Sequence, residues 1–311
     1  MSVVRIAFLG TPEFARFHLE ALLNDSHFEV VGVVSQPDRP SGRHMHLAAS
    51  PVKKLALERG LKVLTPESIK TDEALKEIAD LKADAAIVVA YGQIVPQKFL
   101  DLFPSKVVNV HGSLLPRWRG AAPIQRAIQH GDQTTGVSLQ VMVKKLDAGP
   151  VIGSYSLKID PAWDALRLHD ELKPLGVKLL QNDFLQYLNG KVTPQQQDEA
   201  LVTYAALIDK AESKINLTHK AADIVNQIRA FVLGPGSFCL LSDRPLKIWS
   251  AEAVVERGPA GLIVEVTPDS FTVACGEGGL KIHEVQPASR PKMSAHDFLL
   301  GHKLKTGEHL T

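Results

Sequence analysis

The stretch Val107-Val108-Asn109-Val110-His111-Gly112-Ser113-Leu114-Leu115-Pro116 joins an apolar run, two polar side chains and a turn. The run 107–110 is typical of a short buried strand. Because side chains alternate between the two faces of a strand, Asn109 and His111 point to the same side. An amide donor beside a histidine suits a reaction in which a carbonyl oxygen becomes negative and a proton moves. The alternative is a polar strand end that only caps a turn.

Around this stretch, the first half of the chain alternates between apolar runs and helical patterns. Unbroken apolar runs are typical of strands that are covered on both faces by helices. The pattern therefore predicts an α/β fold, with a doubly wound, mostly parallel, Rossmann-like sheet. The expected strands are Val3–Leu9, Val30–Val34, Ala85–Ala90 and Val107–Val110, and the expected helices are Pro12–Leu23, Pro51–Arg59, Asp72–Leu81 and Pro96–Leu102.

Ligands of such sheets bind beyond the carboxyl ends of the strands. Three predicted strand ends are polar or contain glycine, namely Gly10-Thr11-Pro12, Tyr91-Gly92 and 109–111, and we expect them along one rim. Thr11 has the sequence context of a helix cap. Neither a Gly-x-Gly-x-x-Gly nor a Walker A pattern is present, which argues against dinucleotide oxidoreductases and P-loop enzymes.

The second half of the chain predicts different elements. Alternating residues from Gly136 to Ile159 indicate antiparallel strands, and a long helix is expected over Trp163–Leu188. Five short apolar runs after residue 237 predict a small OB-like β-barrel. We therefore expect a catalytic domain at 1–189, a linker at 190–208 and a C-terminal barrel domain at 209–311.

Composition restricts the class of protein only weakly. The 311 residues carry 35 basic and 34 acidic side chains, a formal net charge of +1, so any polyanion must be bound by local patches. Cys239 and Cys275 are the only cysteines, too few for a disulfide scaffold. No apolar run approaches the ~18 residues of a membrane span, and the first residues lack the features of a signal peptide. These features favour a cytoplasmic protein.

Asp147 lies in a Gly-Pro loop after the strand that begins near Val137, where most acidic residues are solvated turn residues. Together with Asn109, His111 and the turn 113–116, however, it resembles the folate-dependent formyltransferases. The stretch 113–125, with the sequence SLLPRWRGAAPIQ, resembles those members of the family that act on methionyl-tRNA. Four further stretches are similar to that group: GTPEFA at 10–15, QPDRPSGR at 36–43, VVAYG at 88–92 and LVTYA at 201–205.

The resemblance implies a reaction and three catalytic residues. The formyl donor is 10-formyl-tetrahydrofolate, and the acceptor is the α-amino group of methionine on initiator methionyl-tRNA. Asn109 would donate a hydrogen bond to the developing oxyanion, which contributes ~10²–10³ in rate. His111 would assist proton transfer, and Asp147 would orient His111. The family also implies no metal, and we expect a monomer.

The resemblance further implies residues that hold the two substrates. Arg39 and Arg43 would contact tRNA phosphates. The sequence departs from the family at His44-Met45-His46 and at Val232–Gly236, and residues 210–311 hold 12 basic and 11 acidic side chains. The residues implied for folate binding are Ala90, Tyr91, Gly92, Ser113, Leu114, Leu115, Pro116, Leu146 and Gly149.

Three other functions remain open at this point. The same trio serves formyltransferases for a small amine, such as a purine precursor or an amino sugar. Hydrolysis of the formyl donor requires only that water reach the formyl carbon. A protein that binds folate or RNA without catalysis has no need for Asn109, His111 and Asp147 together.

Overall fold

A computed structural model describes residues 3–41 and 46–311 of the chain. Arg43, His44 and Met45 lie outside the described residues. The chain divides into two compact units. The described residues of Met1–Gly120, Thr134–Leu157 and His169–Tyr204 form the first, and Ala121–Gln133, Lys158–Leu168 and Ala205–Thr311 form the second. The predicted domain boundaries at 189 and 208 remain predictions.

Strands and helices largely alternate in the first half of the chain, as the sequence predicts, and further elements follow up to Leu188. The strands are β1 Val4–Gly10, β2 Phe28–Val34, β3 Arg39–Ser41, β4 His46–Ala48, β5 Val63–Leu64, β6 Ala85–Val89, β7 Val107–His111, β8 Arg119–Gly120, β9 Thr134–Val141 and β10 Val151–Lys158. The helices are α1 Glu13–Leu23, α2 Pro51–Glu58, α3 Asp72–Ala79, α4 Gln97–Leu100, α5 Pro123–Gln129, α6 Ala165–Lys178 and α7 Leu185–Leu188, with a π-helical turn at Leu179–Phe184.

Seven strands form one sheet in the order β10-β9-β7-β6-β1-β2-β5. The pairs from β7 to β5 are parallel, whereas β9 runs antiparallel to β7. All five residues of β6 are buried, as expected for a strand covered on both faces. The mostly parallel sheet is therefore confirmed. The short edge strand β5 and the helix α5 were not predicted.

The carboxyl ends of β1, β6 and β7 lie along one rim, because Gly10 is paired with Val89 and Asn109 with Val88. The prediction that Thr11 caps a helix is wrong. Helix α1 begins at Glu13, and the Thr11 hydroxyl donates instead to the Tyr91 carbonyl at 2.8 Å. This bond joins the ends of β1 and β6, a long-range contact that the local cap pattern does not contain.

The second unit is built on an antiparallel sheet. Besides α5, its elements are β12 Ser237–Leu241, β13 Arg244–Val254, β14 Ile263–Val266, β15 Phe271–Ala274, β16 Gly279–Pro287, β17 Met293–Ser294, α8 Ala221–Ala230 and α9 Ala295–Gly301, with 3₁₀ turns at Lys210–Ser213 and Phe231–Leu233. The short strand β11 Tyr204–Ala205 lies at the sequence boundary between the units, and the 3₁₀ turn Glu199–Leu201 belongs to the first unit. The sheet has the order β12-β13-β16-β15-β14, and β17 adds beside β16. It thus has six strands rather than the expected five.

The last residues of the chain lie between the two edge strands of this sheet. Thr311 exchanges backbone hydrogen bonds with Leu240 of β12, and Leu310 donates to the Gly261 carbonyl just before β14. Leu310 is buried in the core of the unit. The antiparallel domain is confirmed. Its edge strands β12 and β14 do not pair with each other to close a barrel, because the last residues of the chain lie between them. No helix in the described part of the chain is long and apolar enough to cross a membrane.

His18 of α1 is fully buried, and we expect it to make stability depend on pH. Its Nδ1 bonds to the Phe14 carbonyl at 2.7 Å, and burial lowers the pKa of His18 to about 4. Between pH ~6.5 and ~4 the unfolded chain therefore binds a proton that the folded chain does not. Stability is fully present above pH ~6.5 and falls with decreasing pH by up to about 1.4 kcal/mol per pH unit.

We expect His18→Leu to reduce the pH dependence of the free energy of unfolding, since leucine removes the titrating group from the buried position. The measurement is the free energy of urea unfolding at pH values from 4.5 to 7.5. His27→Leu, at a mostly exposed histidine, is the control and should keep the wild-type slope. Equal slopes for wild type and His18→Leu would show that His18 does not govern the acid response.

Candidate active site

The site is centred on the carboxylate of Asp147, which meets two side chains of β7. The Asn109 amide lies 3.4 Å from Asp147 Oδ1, and His111 Nδ1 lies 3.8 Å from Oδ2. The alternation of β7 thus places both side chains on one face, and the loop after β9 brings Asp147 to them. The structure therefore brings together all three residues that the sequence assigns to catalysis.

The orientation of His111 follows from its other nitrogen. Nε2 lies 2.8 Å from the Trp118 carbonyl. A carbonyl only accepts, so Nε2 carries the hydrogen and donates. In the neutral ring Nδ1 is then the free base, and it faces the Asp147 carboxylate. His111 is only 6% exposed, so a proton taken up at Nδ1 would be held in a site with little water.

Two groups that the sequence patterns do not predict fix the Asp147 carboxylate. The backbone N–H of Gly120 donates to Oδ2 at 2.9 Å, and Gln140 Nε2 donates to Oδ1 at 2.9 Å. Gln140 lies opposite Asn109 on β9. A glutamine inside the buried strand 135–141 was the available sequence signal, because buried polar side chains need partners. The Gly120 contact had no such signal.

Three residues around the site have left-handed backbone although none is glycine. The φ angles are +46° at Asp147, +46° at Ala90 and +63° at Trp118. Such residues cost about 1–3 kcal/mol each and persist only where the surroundings impose them. Their presence at Asp147, at the carbonyl that holds His111 and at the end of β6 indicates that this geometry is maintained against a local cost.

Gly149 allows the Asp147 loop to approach β9 closely. A Cβ added at Gly149 would lie 1.7 Å from the carbonyl oxygen of Val141. That distance is far inside van der Waals contact, so a larger residue would displace the loop. Close packing against β9 therefore requires glycine at position 149, in addition to the folate contact that is predicted there.

The turn 113–116 is held to β9 by hydroxyl groups. Ser113 Oγ donates to the Arg117 carbonyl at 2.6 Å, and the backbone N–H of Leu115 donates to Ser138 Oγ at 3.0 Å. The Leu115–Pro116 peptide bond is cis. Leu114 packs against Gly136 of β9, where an added Cβ would meet its side chain at 2.6 Å. Leu114 thus belongs to the packing of the turn.

The predicted folate segment lies at the end of β6, next to Asn109. Ala90 and Gly92 are exposed, whereas the Tyr91 ring is 2% exposed and packs in the core. The Tyr91 carbonyl accepts from both Thr11 and Gln36. The backbone of Ala90 and Gly92 is therefore what this segment offers to a ligand. Leu146, beside Asp147, is 60% exposed.

An ion-pair network lies next to the Asp147 loop. Arg119 is fully buried and contacts Glu199 Oε1 at 2.8 Å, and Lys145 contacts Glu199 Oε2 at 2.7 Å. Hydrogen bonds from Arg119 and Lys145 lower the pKa of Glu199 to about 2. Among residues 3–41 and 46–311, no three histidine, cysteine, aspartate or glutamate side chains are close enough to hold a metal ion.

Several basic residues of the described chain are paired with carboxylates. Arg39 contacts Glu67 at 3.4 Å in an exposed pair, and such pairs are weak. In the second unit Lys220 contacts Glu277 at 2.8 Å and Lys292 contacts Glu284 at 2.7 Å. Arg43 lies outside the described residues. Of the two residues predicted to contact tRNA, the structure therefore describes only Arg39, whose partner is a carboxylate.

Comparison with known families agrees with this architecture. The model of the formyl transferase family matches residues 4–183. The model of the formyl transferase C-terminal domain matches residues 207–303. The two matches cover most of the chain, in the order that the sequence analysis expects.

Solved structures share the fold at low sequence identity. An N-formyltransferase from Helicobacter canadensis, in complex with folinic acid and dTDP-3-aminofucose, has a TM-score of 0.65 at 18% identity, over 92% of this chain and 100% of its own. HypX from Aquifex aeolicus, in complex with tetrahydrofolic acid, has a TM-score of 0.65 at 15% identity, over 96% of this chain and 47% of its own. These likenesses support the fold alone.

Curated relatives are much more similar. The methionyl-tRNA formyltransferase of Bdellovibrio bacteriovorus is 52% identical over 100% of this chain and 99% of the relative. The methionyl-tRNA formyltransferase of Magnetococcus marinus is 42% identical over 100% and 99%. The likeness thus extends through both units. This chain belongs to the formyl transferase family, and within that family to the methionyl-tRNA formyltransferases.

Proposed function

We propose that this chain transfers the formyl group of 10-formyl-tetrahydrofolate to the α-amino group of methionine on initiator tRNA. The observation that carries the proposal is the convergence of Asn109 and His111 on the Asp147 carboxylate, at 3.4 Å and 3.8 Å. Relatives that are 41–52% identical over essentially the full chain are named methionyl-tRNA formyltransferases.

The donor supplies a formyl carbon that is already activated on nitrogen. The methionine nitrogen bonds to that carbon, the bond between the carbon and the folate nitrogen breaks, and one proton moves from the amine to the folate nitrogen. In this proposal Asn109 donates to the formyl oxygen while negative charge grows on it. His111 takes the proton at Nδ1, and Asp147 stabilises the ring while it is charged.

The folate cosubstrate fits the exposed backbone at the end of β6. We place its pterin against Ala90, Tyr91 and Gly92, where backbone groups offer hydrogen bonds beside Asn109. We assign Leu115 and Leu146 to the apolar walls, and Ser113, Leu114, Pro116 and Gly149 to the shape of the pocket. The protein is proposed to act without a metal, as a cytoplasmic monomer. Light scattering in solution would contradict this last part if the mass were that of a dimer.

The reaction is tested by measuring formyl transfer to methionine on initiator tRNA. Elongator methionyl-tRNA, free methionine and an amino-sugar nucleotide are the comparison acceptors. Transfer to the initiator alone is expected. Consumption of the donor without transfer would indicate a hydrolase. Transfer to the amino sugar in place of the tRNA would favour the small-amine alternative.

Substitutions at the site test the assigned roles. We expect Asn109→Ala to lower kcat by ~10²–10³ and His111→Ala by ~10²–10⁴, while the Kd for the folate donor changes little. His27→Ala is a matched control because His27 also pairs with a carboxylate, that of Asp25, at 2.7 Å. Near-normal turnover in either site variant would refute its assigned role.

A second prediction concerns the acceptor. We expect Arg39→Ala and Arg43→Ala each to raise KM for initiator tRNA with little change in kcat, because phosphate contacts position the acceptor. Glu67→Ala removes the same exposed ion pair but leaves Arg39 in place. It should therefore keep the wild-type KM. An unchanged KM in both arginine variants would remove these residues from the tRNA contacts.

A further inference from the structure

Gln197 contacts the Asp147 loop, although it lies in a polar segment that the sequence predicts to be a linker. Its Nε2 donates to the Asp147 carbonyl at 2.8 Å and to the Gly149 carbonyl at 2.7 Å. A glutamine amide nitrogen has two hydrogens. Both are therefore used on the two carbonyls that flank Ala148, and the side chain holds both ends of this short turn.

Arg119 fixes the orientation of the Gln197 side-chain amide. Arg119 Nε donates to Gln197 Oε1 at 3.0 Å. Because a guanidinium has donors only, the atom that faces it must be the oxygen. The amide nitrogen must then face the two carbonyls. Arg119 is itself held by Glu199 and is 0% exposed, so this orientation is set by a buried contact and not by a mobile surface side chain.

The turn needs such a support. Asp147 has a left-handed φ of +46°, which a non-glycine residue adopts only where its surroundings impose it. The Asp147 side chain is held by Gly120 and Gln140. Gln197 fixes the backbone of the same residue by donating to its carbonyl. Side chain and backbone are thus fixed by different elements of the first unit.

We infer that Gln197, oriented by Arg119, is a positioning residue that holds the Asp147 carboxylate opposite His111. The catalytic part of this inference rests on the proposed function. Gln197 does not contact His111 or Asn109 in any hydrogen bond of the described residues, so it acts through the turn. A displacement of about 1 Å in a catalytic group can cost ~10²-fold in rate.

The first test compares three variants in the full-length protein. Gln197→Met keeps the length of the side chain and removes every hydrogen bond. Gln197→Glu keeps an oxygen for Arg119 but sets a second oxygen against the two carbonyls. We expect both to lower kcat for formyl transfer by about 10- to 100-fold, with KM for donor and tRNA within about twofold. Gln196→Met, at the exposed neighbour, should behave as wild type.

The second test separates positioning from a general loss of structure. If Gln197 acts through Asp147, then Gln197→Met should lower kcat much less in an Asp147→Asn background than in the wild type. An equal fold-loss in both backgrounds would overturn the inference. So would near-normal kcat in Gln197→Glu, because the donated hydrogen bonds would then be unnecessary.

A third measurement does not depend on the reaction. The Ala148 amide donates within the turn to the Lys145 carbonyl at 3.3 Å, and its hydrogen exchange should be faster in Gln197→Met than in Gln196→Met. If the wild type transfers no formyl group but the Ala148 amide exchanges faster in Gln197→Met, the proposed function is wrong, whereas the inference that Gln197 holds the turn is supported. If transfer is normal in the wild type and exchange is unchanged in Gln197→Met, the inference fails and the proposed function stands.

Discussion

The position of the Asp147 carboxylate is the constraint on which the rest of the site depends. Its oxygens accept from Gly120 and Gln140 and lie beside Asn109 and His111. These partners come from β7, β8 and β9, so the position of the carboxylate depends on three different strands. The pairing of Asn109 with Gln140 and of His111 with Ser138 fixes the register of β7 against β9. A one-residue slip would turn the polar side chains to the other face.

Much of this arrangement was contained in local sequence patterns. Alternation within 107–111 predicted the common direction of Asn109 and His111, and the apolar runs predicted the parallel sheet and the rim where they lie. Patterns failed where distant residues decided the outcome. The Thr11 hydroxyl bonds to Tyr91, 80 positions away, rather than to its own helix. Gln197 reads as part of a polar linker because its partners at 147 and 149 are about 50 positions away.

The second unit shows the same limit at the level of topology. Its main strands follow residue 236, where the sequence predicts short strands, since alternation and turn residues are local signals. Closure of its sheet edge by the last residues of the chain depends on Leu310 reaching its core, which no local pattern encodes. Its lysines were visible in the sequence, but their ion pairs with Glu277 and Glu284 were not. Net charge therefore says little about how an acceptor tRNA is held.

The role proposed for the Asp147 carboxylate is to make His111 and Asn109 competent for formyl transfer. The most direct measurement is the single-turnover rate of Asp147→Asn with saturating 10-formyl-tetrahydrofolate and initiator methionyl-tRNA. Asparagine keeps the size of the side chain and removes its charge. We expect a rate at least ~10²-fold below wild type, with the Kd of the donor nearly unchanged. A single-turnover rate close to that of the wild type would contradict the proposed role.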